Sequence, residues 1–109
     1  MRDDYYFPHE TLDCYTHARD VARWVASQQF PRGDADLRNQ AVRAARSMVL
    51  NIAEGCGRQG KSRKYHYSVA AGSAAEVGAV LDLVDFDGGA SQQEKLRRVA
   101  LMLQALIRK

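Results

Sequence analysis

Residues 55–62 read GCGRQGKS, in which Gly55, Gly60, Lys61 and Ser62 satisfy the phosphate-loop spacing G-x-x-x-x-G-K-[ST]. Gly55, Gly57 and Gly60 also satisfy G-x-G-x-x-G. Either pattern holds nucleotide when a strand delivers the glycine turn to a helix N-terminus. Backbone N–H groups then face phosphate, the lysine neutralises it and the hydroxyl reaches magnesium. The residues upstream, RAARSMVLNIAE, have helical rather than strand-like spacing of apolar positions. No second apolar run ends in an aspartate placed to hold magnesium. The preferred role of the glycines is a sharp bend between two helices, with a phosphate-loop enzyme as the alternative.

Other groups could do chemistry. Cys14 and His17 share one helical face, and Cys56 with His66 could complete a soft-metal set. The spacing does not demand it, and free thiols are the expectation, with no metal and no cofactor. The carboxylates Glu54 and Glu76 could act as a pair, but the sequence supplies them with no base or nucleophile. Glu-x-x-His pairs, which an iron-binding helical bundle would require, are absent. The chain therefore reads as non-enzymatic.

Charge is distributed in blocks. Residues 1–36 sum to −3 (four basic, seven acidic), 37–64 to +6 (seven basic, one acidic), 76–87 to −4 (four acidic, no base) and 91–109 to +4 (five basic, one acidic). The middle and the C-terminus can thus offer cations to a polyanion. Arg38, Arg43, Arg46, Arg58, Lys61, Arg63 and Lys64 are the candidate phosphate contacts. Arg97, Arg98, Arg108 and Lys109 form a second set. Tyr65 and Tyr67 in KSRKYHY add aromatic faces on which unpaired bases could stack.

The bases at 58–64 and the acids at 82–87 stand against the dipole of a helix spanning between them, at about 0.3–1 kcal/mol each. Helix stability alone does not place them there.

Four amphipathic segments must position these groups. Cys14, Ala18, Val21 and Val25 form the stripe of a helix over about 9–28, which FPRGD ends. Leu37, Ala41, Ala44, Ala45, Met48 and Ile52 define a second, over about 37–55, capped by Asp36. Ser62 caps a third, over about 62–87, with Ala70, Ser73, Ala74, Val77, Leu81 and Val84 inward. Ser91 and Glu94 form a capping box for a fourth, over about 91–108, carrying Leu96, Val99, Leu103 and Leu106.

Short connections between long helices predict an all-α, antiparallel up-down-up-down four-helix bundle as one domain over 1–109. Asn51, Glu54, Arg58, Ser73 and Glu76 are expected to form a structural polar network around the bend and between helices. Gly72 and Gly78, each costing about 1 kcal/mol inside a helix, suit close approach of another backbone. No apolar run nears the ~18 residues of a membrane span, and MRDDYYFPHE lacks the order of a secretion signal. A cytoplasmic protein with no membrane partner is expected.

Phe30 and Pro31, QAVRAARSMVLNIAEGCGR over 40–58 and AAGSAAEV over 70–77 resemble the family of 23S rRNA-intervening sequence proteins. That family includes the accessory variability proteins of diversity-generating retroelements. The resemblance implies a four-helix-bundle protomer assembled as a homopentamer. It further implies contacts to RNA or DNA, and to a reverse transcriptase, through basic outer surfaces. Ala71 departs from the pattern, standing where a basic residue often precedes the glycine of GS. A purely structural homo-oligomer without a nucleic-acid partner is the alternative within the same fold.

Overall fold

A computed structural model describes residues 5–109, so residues 1–4 of the expected domain lie outside the described residues. Four α-helices follow a short 3-10 turn at Pro8–Thr11: α1 (Asp13–Ser27), α2 (Ala35–Cys56), α3 (Gly60–Leu83) and α4 (Gly89–Arg108). Among the described residues there is no β-strand, and no helix is long and apolar enough to cross a membrane.

The predicted stripes are buried, except that Leu37 and Leu106 are only half-buried against the core. Val21, Val25, Met48, Ile52, Val77, Val99 and Leu103 are each less than 2% exposed, and burial of side chains of this size contributes about 1.5–3 kcal/mol apiece. Ala41, Ala44, Ala45, Ala70 and Ala74 are also buried. These small side chains let α2 and α3 form the most extensive interface, while α1 packs on α2 and α4, and α4 on α3.

The ends of the helices differ from expectation, each for a local reason. The first helix does not begin at 9: Leu12 is extended (φ −97, ψ 118) and separates the 3-10 turn from α1. Asp34, not Asp36, precedes α2, because its carbonyl already accepts the Arg38 N–H at 2.9 Å. Ser62 lies inside the first turn of α3 rather than capping it. Gly60, at φ +59, admits helical bonding from the Gln59 carbonyl, which accepts the Arg63 N–H at 3.4 Å.

The third helix stops at Leu83, four residues short of Asp87, because Val84 turns extended (φ −132, ψ 129) and buries its side chain. Phe86 can then set its ring against Trp24 (centroids 5.6 Å apart) and Phe30 (4.9 Å). Nor does the Ser91–Glu94 capping box form. Gly88 at φ +83 starts α4 by accepting the Gln92 N–H at 3.2 Å, which leaves both residues inside the helix.

Antiparallel running of α2 and α3 follows from their side-chain contacts. The Ser73 hydroxyl donates to Ser47 Oγ at 2.9 Å, and His66 Nδ1 meets Asn51 Oδ1 at 2.9 Å. Positions rise along one helix as they fall along the other. Near the bend Tyr67 packs directly on the α2 backbone: a Cβ added to Gly55 would lie 2.6 Å from Tyr67 Cε1 and 2.7 Å from its Cδ1. The Tyr67 ring is itself a core side chain, only 3% exposed.

An alanine in a helix interior ordinarily gains about 1 kcal/mol over glycine, whereas overpacking a core costs about 1–3 kcal/mol. Gly55→Ala should therefore lower stability by up to roughly 2 kcal/mol net, read as a fall in the urea unfolding midpoint. A midpoint at or above that of the parent chain would show that Tyr67 yields freely.

Candidate nucleic-acid interface

The seven basic residues singled out in the sequence fall into two groups. Arg38, Arg43 and Arg46 belong to the first three turns of α2, whereas Arg58, Lys61, Arg63 and Lys64 surround the bend into α3. Helical rise alone places Arg38 about 24 Å from the last turn of α2.

At the bend, GCGRQGKS is the end of one helix, a turn and the start of the next, so no strand feeds the glycines as a phosphate loop requires. The cations there have distinct tasks. Arg58 donates from Nε to Glu54 Oε2 at 2.8 Å, with Nη2 at 2.7 Å from the same oxygen. The pair is half exposed, and such i,i+4 pairs contribute only about 0.3–0.5 kcal/mol. Arg63 reaches back to the carbonyls of Gly55 (Nε, 3.1 Å) and Cys56 (Nη2, 3.3 Å). It supplies a donor to the Cys56 carbonyl and a second one to that of Gly55, which also accepts the Arg58 N–H at 3.2 Å, at the end of α2, where a cation is favoured.

Lys61 and Lys64 are exposed. Arg63 and Lys64 line a pocket of about 270 Å³ together with Gly60, Tyr67, Leu106 and Lys109. The C-terminal lysine therefore joins the bend, uniting part of the second basic set with the first. Of the rest, Arg97 lines a furrow between α3 and α4 with Gly78 and Gln93, and Arg98 and Arg108 are exposed. Tyr65 is 64% exposed and offers a ring face, whereas Tyr67 belongs to the core.

Arg38, Arg43 and Arg46 line a separate groove of about 350 Å³ with Ala26, Asn39 and Val42. It continues into a second hollow of about 260 Å³ that adds Arg19, Arg23 and Leu50. Sequence reasoning overlooked Arg19 and Arg23 because the acidic sum of residues 1–36 masks them. Their spacing of four, beside Ala22 and Ala26, was the available signal.

The expected polar network is rearranged. Asn51 and Ser73 do meet, but through Ser47, which was not foreseen: Asn51 Nδ2 donates to the Ser47 carbonyl at 2.9 Å and to its Oγ at 3.3 Å. That leaves Asn51 Oδ1 to accept from His66 Nδ1, which fixes the hydrogen on that ring nitrogen. Glu54 pairs with Arg58 at the surface, and Glu76 is exposed on α3. Neither joins the seam. Among the described residues no three His, Cys, Asp or Glu side chains converge as metal ligands, and Cys14 and Cys56 are free thiols.

Comparison with known proteins places this geometry in context. The family model described as 23S rRNA-intervening sequence protein matches residues 10–109. No curated protein matches the chain.

Behind the basic bend lie two groups, Cys14 and Tyr67, that titrate only at high pH. Burial, with the charge of Cys56 second, pushes the Cys14 thiol up to about 11 from 9.0. Burial, followed by the hydrogen bond from or to Cys56 Sγ at 3.5 Å, also raises the Tyr67 hydroxyl above its ordinary 10.0. Both are acids held neutral by the fold. Above pH 9.0 the unfolded chain releases the thiol proton while the folded chain keeps it until about 11. Stability should then be constant below that window and fall through it, by up to about 1.4 kcal/mol per pH unit for each such group, with Tyr67 extending the decline. Urea unfolding across the window would check this, and Cys14→Ala should flatten its lower part. An unchanged slope in that variant would refute the assignment to Cys14.

Proposed function

The chain belongs to the 23S rRNA-intervening sequence protein family, and from that premise we propose that it is a self-assembling helical scaffold or adaptor. On this reading it holds RNA or DNA by the phosphate backbone at the bend between α2 and α3. One observation carries the proposal: Lys109, from the far end of the chain, converges with Arg63 and Lys64 around one pocket beside exposed Lys61. Cations gathered with no aspartate or glutamate lining the pocket serve a polyanion by releasing its counterions.

Exposed Tyr65 adds a stacking surface for unpaired bases, which favours a single strand. The N–H groups of the first turn of α3 face the same end, and the positive end of the helix favours anions. The protomer is best read as an antiparallel up-down-up-down bundle, supported by short connections and by packing of each helix on two neighbours. Exposed Leu50, Leu83 and Leu101 support assembly, and a homopentamer is the form that the family resemblance implies. A reverse transcriptase is the protein partner of the retroelement branch of that resemblance, and a cytoplasmic setting accords with it.

Fluorescence anisotropy with short labelled RNA and DNA strands should show sequence-tolerant binding that weakens steeply with salt. Lys61→Ala, Lys64→Ala and Lys109→Ala should each weaken binding and reduce the salt slope by about 0.7 per lost contact to a single strand. Lys95→Ala, away from the bend, should change neither. Absence of binding at low salt would favour the purely structural oligomer. Micromolar binding of ATP that Lys61→Ala abolishes would instead restore the phosphate-loop enzyme.

A further inference from the structure

We infer that the outer face of α3 in one copy of the chain packs into the arginine-lined groove between α1 and α2 of the next copy. The inference rests on the self-assembly proposed above and names the surfaces that would carry it.

The groove is amphipathic. Ala22, Ala26, Val42 and Val49 line it between the arginines, and Leu50 projects from it at 66% exposure. A phosphate backbone has no use for an apolar floor. Beside it, Asp20 is already paired with Arg19 at 3.2 Å. Arg23, Arg43 and Arg46 are exposed, so the groove awaits an occupant that is apolar along its centre and acidic along its edge.

The chain carries such a surface on α3. Residues 76–87 hold four acids and no base, and Leu83 projects among them at 73% exposure. Glu76 and Ala79, seven and four residues before Leu83 and both exposed, share its face, and exposed Asp82 edges it. Asp82 holds Gln93 Nε2 at 3.0 Å with one oxygen and has a second oxygen to offer.

One turn further back, Gly72 is exposed, and a Cβ added there would meet nothing within 4 Å. Inside the protomer no close contact explains this glycine. A neighbour's side chain entering the hollow would.

The heights agree. The contacts Ser47–Ser73 and Asn51–His66 set the register of α2 against α3. In that register Gly72 is level with the turn of α2 that bears Leu50, and Leu83 is level with the turn that bears Arg38. A ridge of one copy and a groove of the next at equal height are related by rotation about an axis parallel to the helices. Leu50 of one copy then faces Gly72 of its neighbour, Leu83 enters the groove at Val42 and Ala26, and Glu76 and Asp82 meet the arginines. Two different faces at one height close into a ring, whereas an axial offset would wind a filament. Like charges brought together across such a contact cost several kcal/mol, and opposite charges fix its register.

Light scattering of the purified full chain, with circular dichroism to verify folding, tests the contact. Gly72→Leu should leave helicity intact, because the site is open and leucine is the better helix former, yet raise the dissociation constant of the assembly roughly tenfold or more. The reversals Glu76→Arg with Asp82→Arg, and separately Arg43→Glu with Arg46→Glu, should each do the same. Both reversals combined in one chain should restore the parent mass.

An assembled parent whose mass withstands Gly72→Leu and both reversals would overturn this interface and leave self-assembly standing. Reversals that disrupt singly but fail to rescue when combined would overturn the pairing of the two faces. A parent chain that is monomeric at every concentration would defeat the assembly reading itself.

Discussion

The approach of α2 to α3 at Gly55 is the constraint on which the rest of the molecule depends. Tyr67 occupies the space that a Cβ at position 55 would need, and Arg63 closes the same junction by holding the carbonyls of Gly55 and Cys56. Together they set the axial register of the two helices, which the seam Ser73–Ser47–Asn51–His66 continues. That register decides where Lys61, Lys64 and Lys109 gather at one end. It also decides which turn of α2 stands level with Leu83 at the other.

The charge blocks, puzzling against a helix dipole, become intelligible once both helices at each turn are counted. Arg63 stands at the start of α3 but also at the carbonyl end of α2, where a cation is favourable. At the opposite turn α3 ends at Leu83, so Asp85 and Asp87 lie beyond its last residue, and Asp87 immediately precedes the Gly88 that opens α4. An acid there is close to a positive helix end. At the ends of α3, what remains unbalanced by a neighbouring helix end is Lys61 and Lys64 on one side and Asp82, with Glu76 before it, on the other. These are the residues for which partners outside the protomer have been argued.

Much of the fold was legible because burial repeats with the period of the helix. Every stripe residue of the third segment, from Ala70 to Val84, is buried. The boundaries were less legible because they are decided by tertiary contacts. Ser91 with Glu94 has the spacing of a capping box, but Gly88 in a left-handed conformation starts the helix earlier, and Phe86 must first reach Trp24 and Phe30. For the candidate site, residue type and local charge sufficed to pick out the bend. The meeting of Lys109 with Lys64 is a product of chain topology that no local pattern encodes. Arg19 and Arg23 were hidden by averaging over acidic neighbours, and the Ser47 bridge by the commonness of serine.

If copies associate through α3 and the α1–α2 groove, the groove arginines are neutralised by aspartate and glutamate and cease to compete for phosphate. The bend, at the other end of α2, stays open. Rotation about an axis parallel to the helices would then bring every bend to one rim of the assembly, converting a modest cluster of lysines into a repeated one. Weak contacts repeated along one strand gain from effective concentration without any new chemistry, provided the strand can span neighbouring sites. The apolar groove and the lysine pocket are thus separable in role because they are separable in height, and the junction at Gly55 and Tyr67 holds them apart.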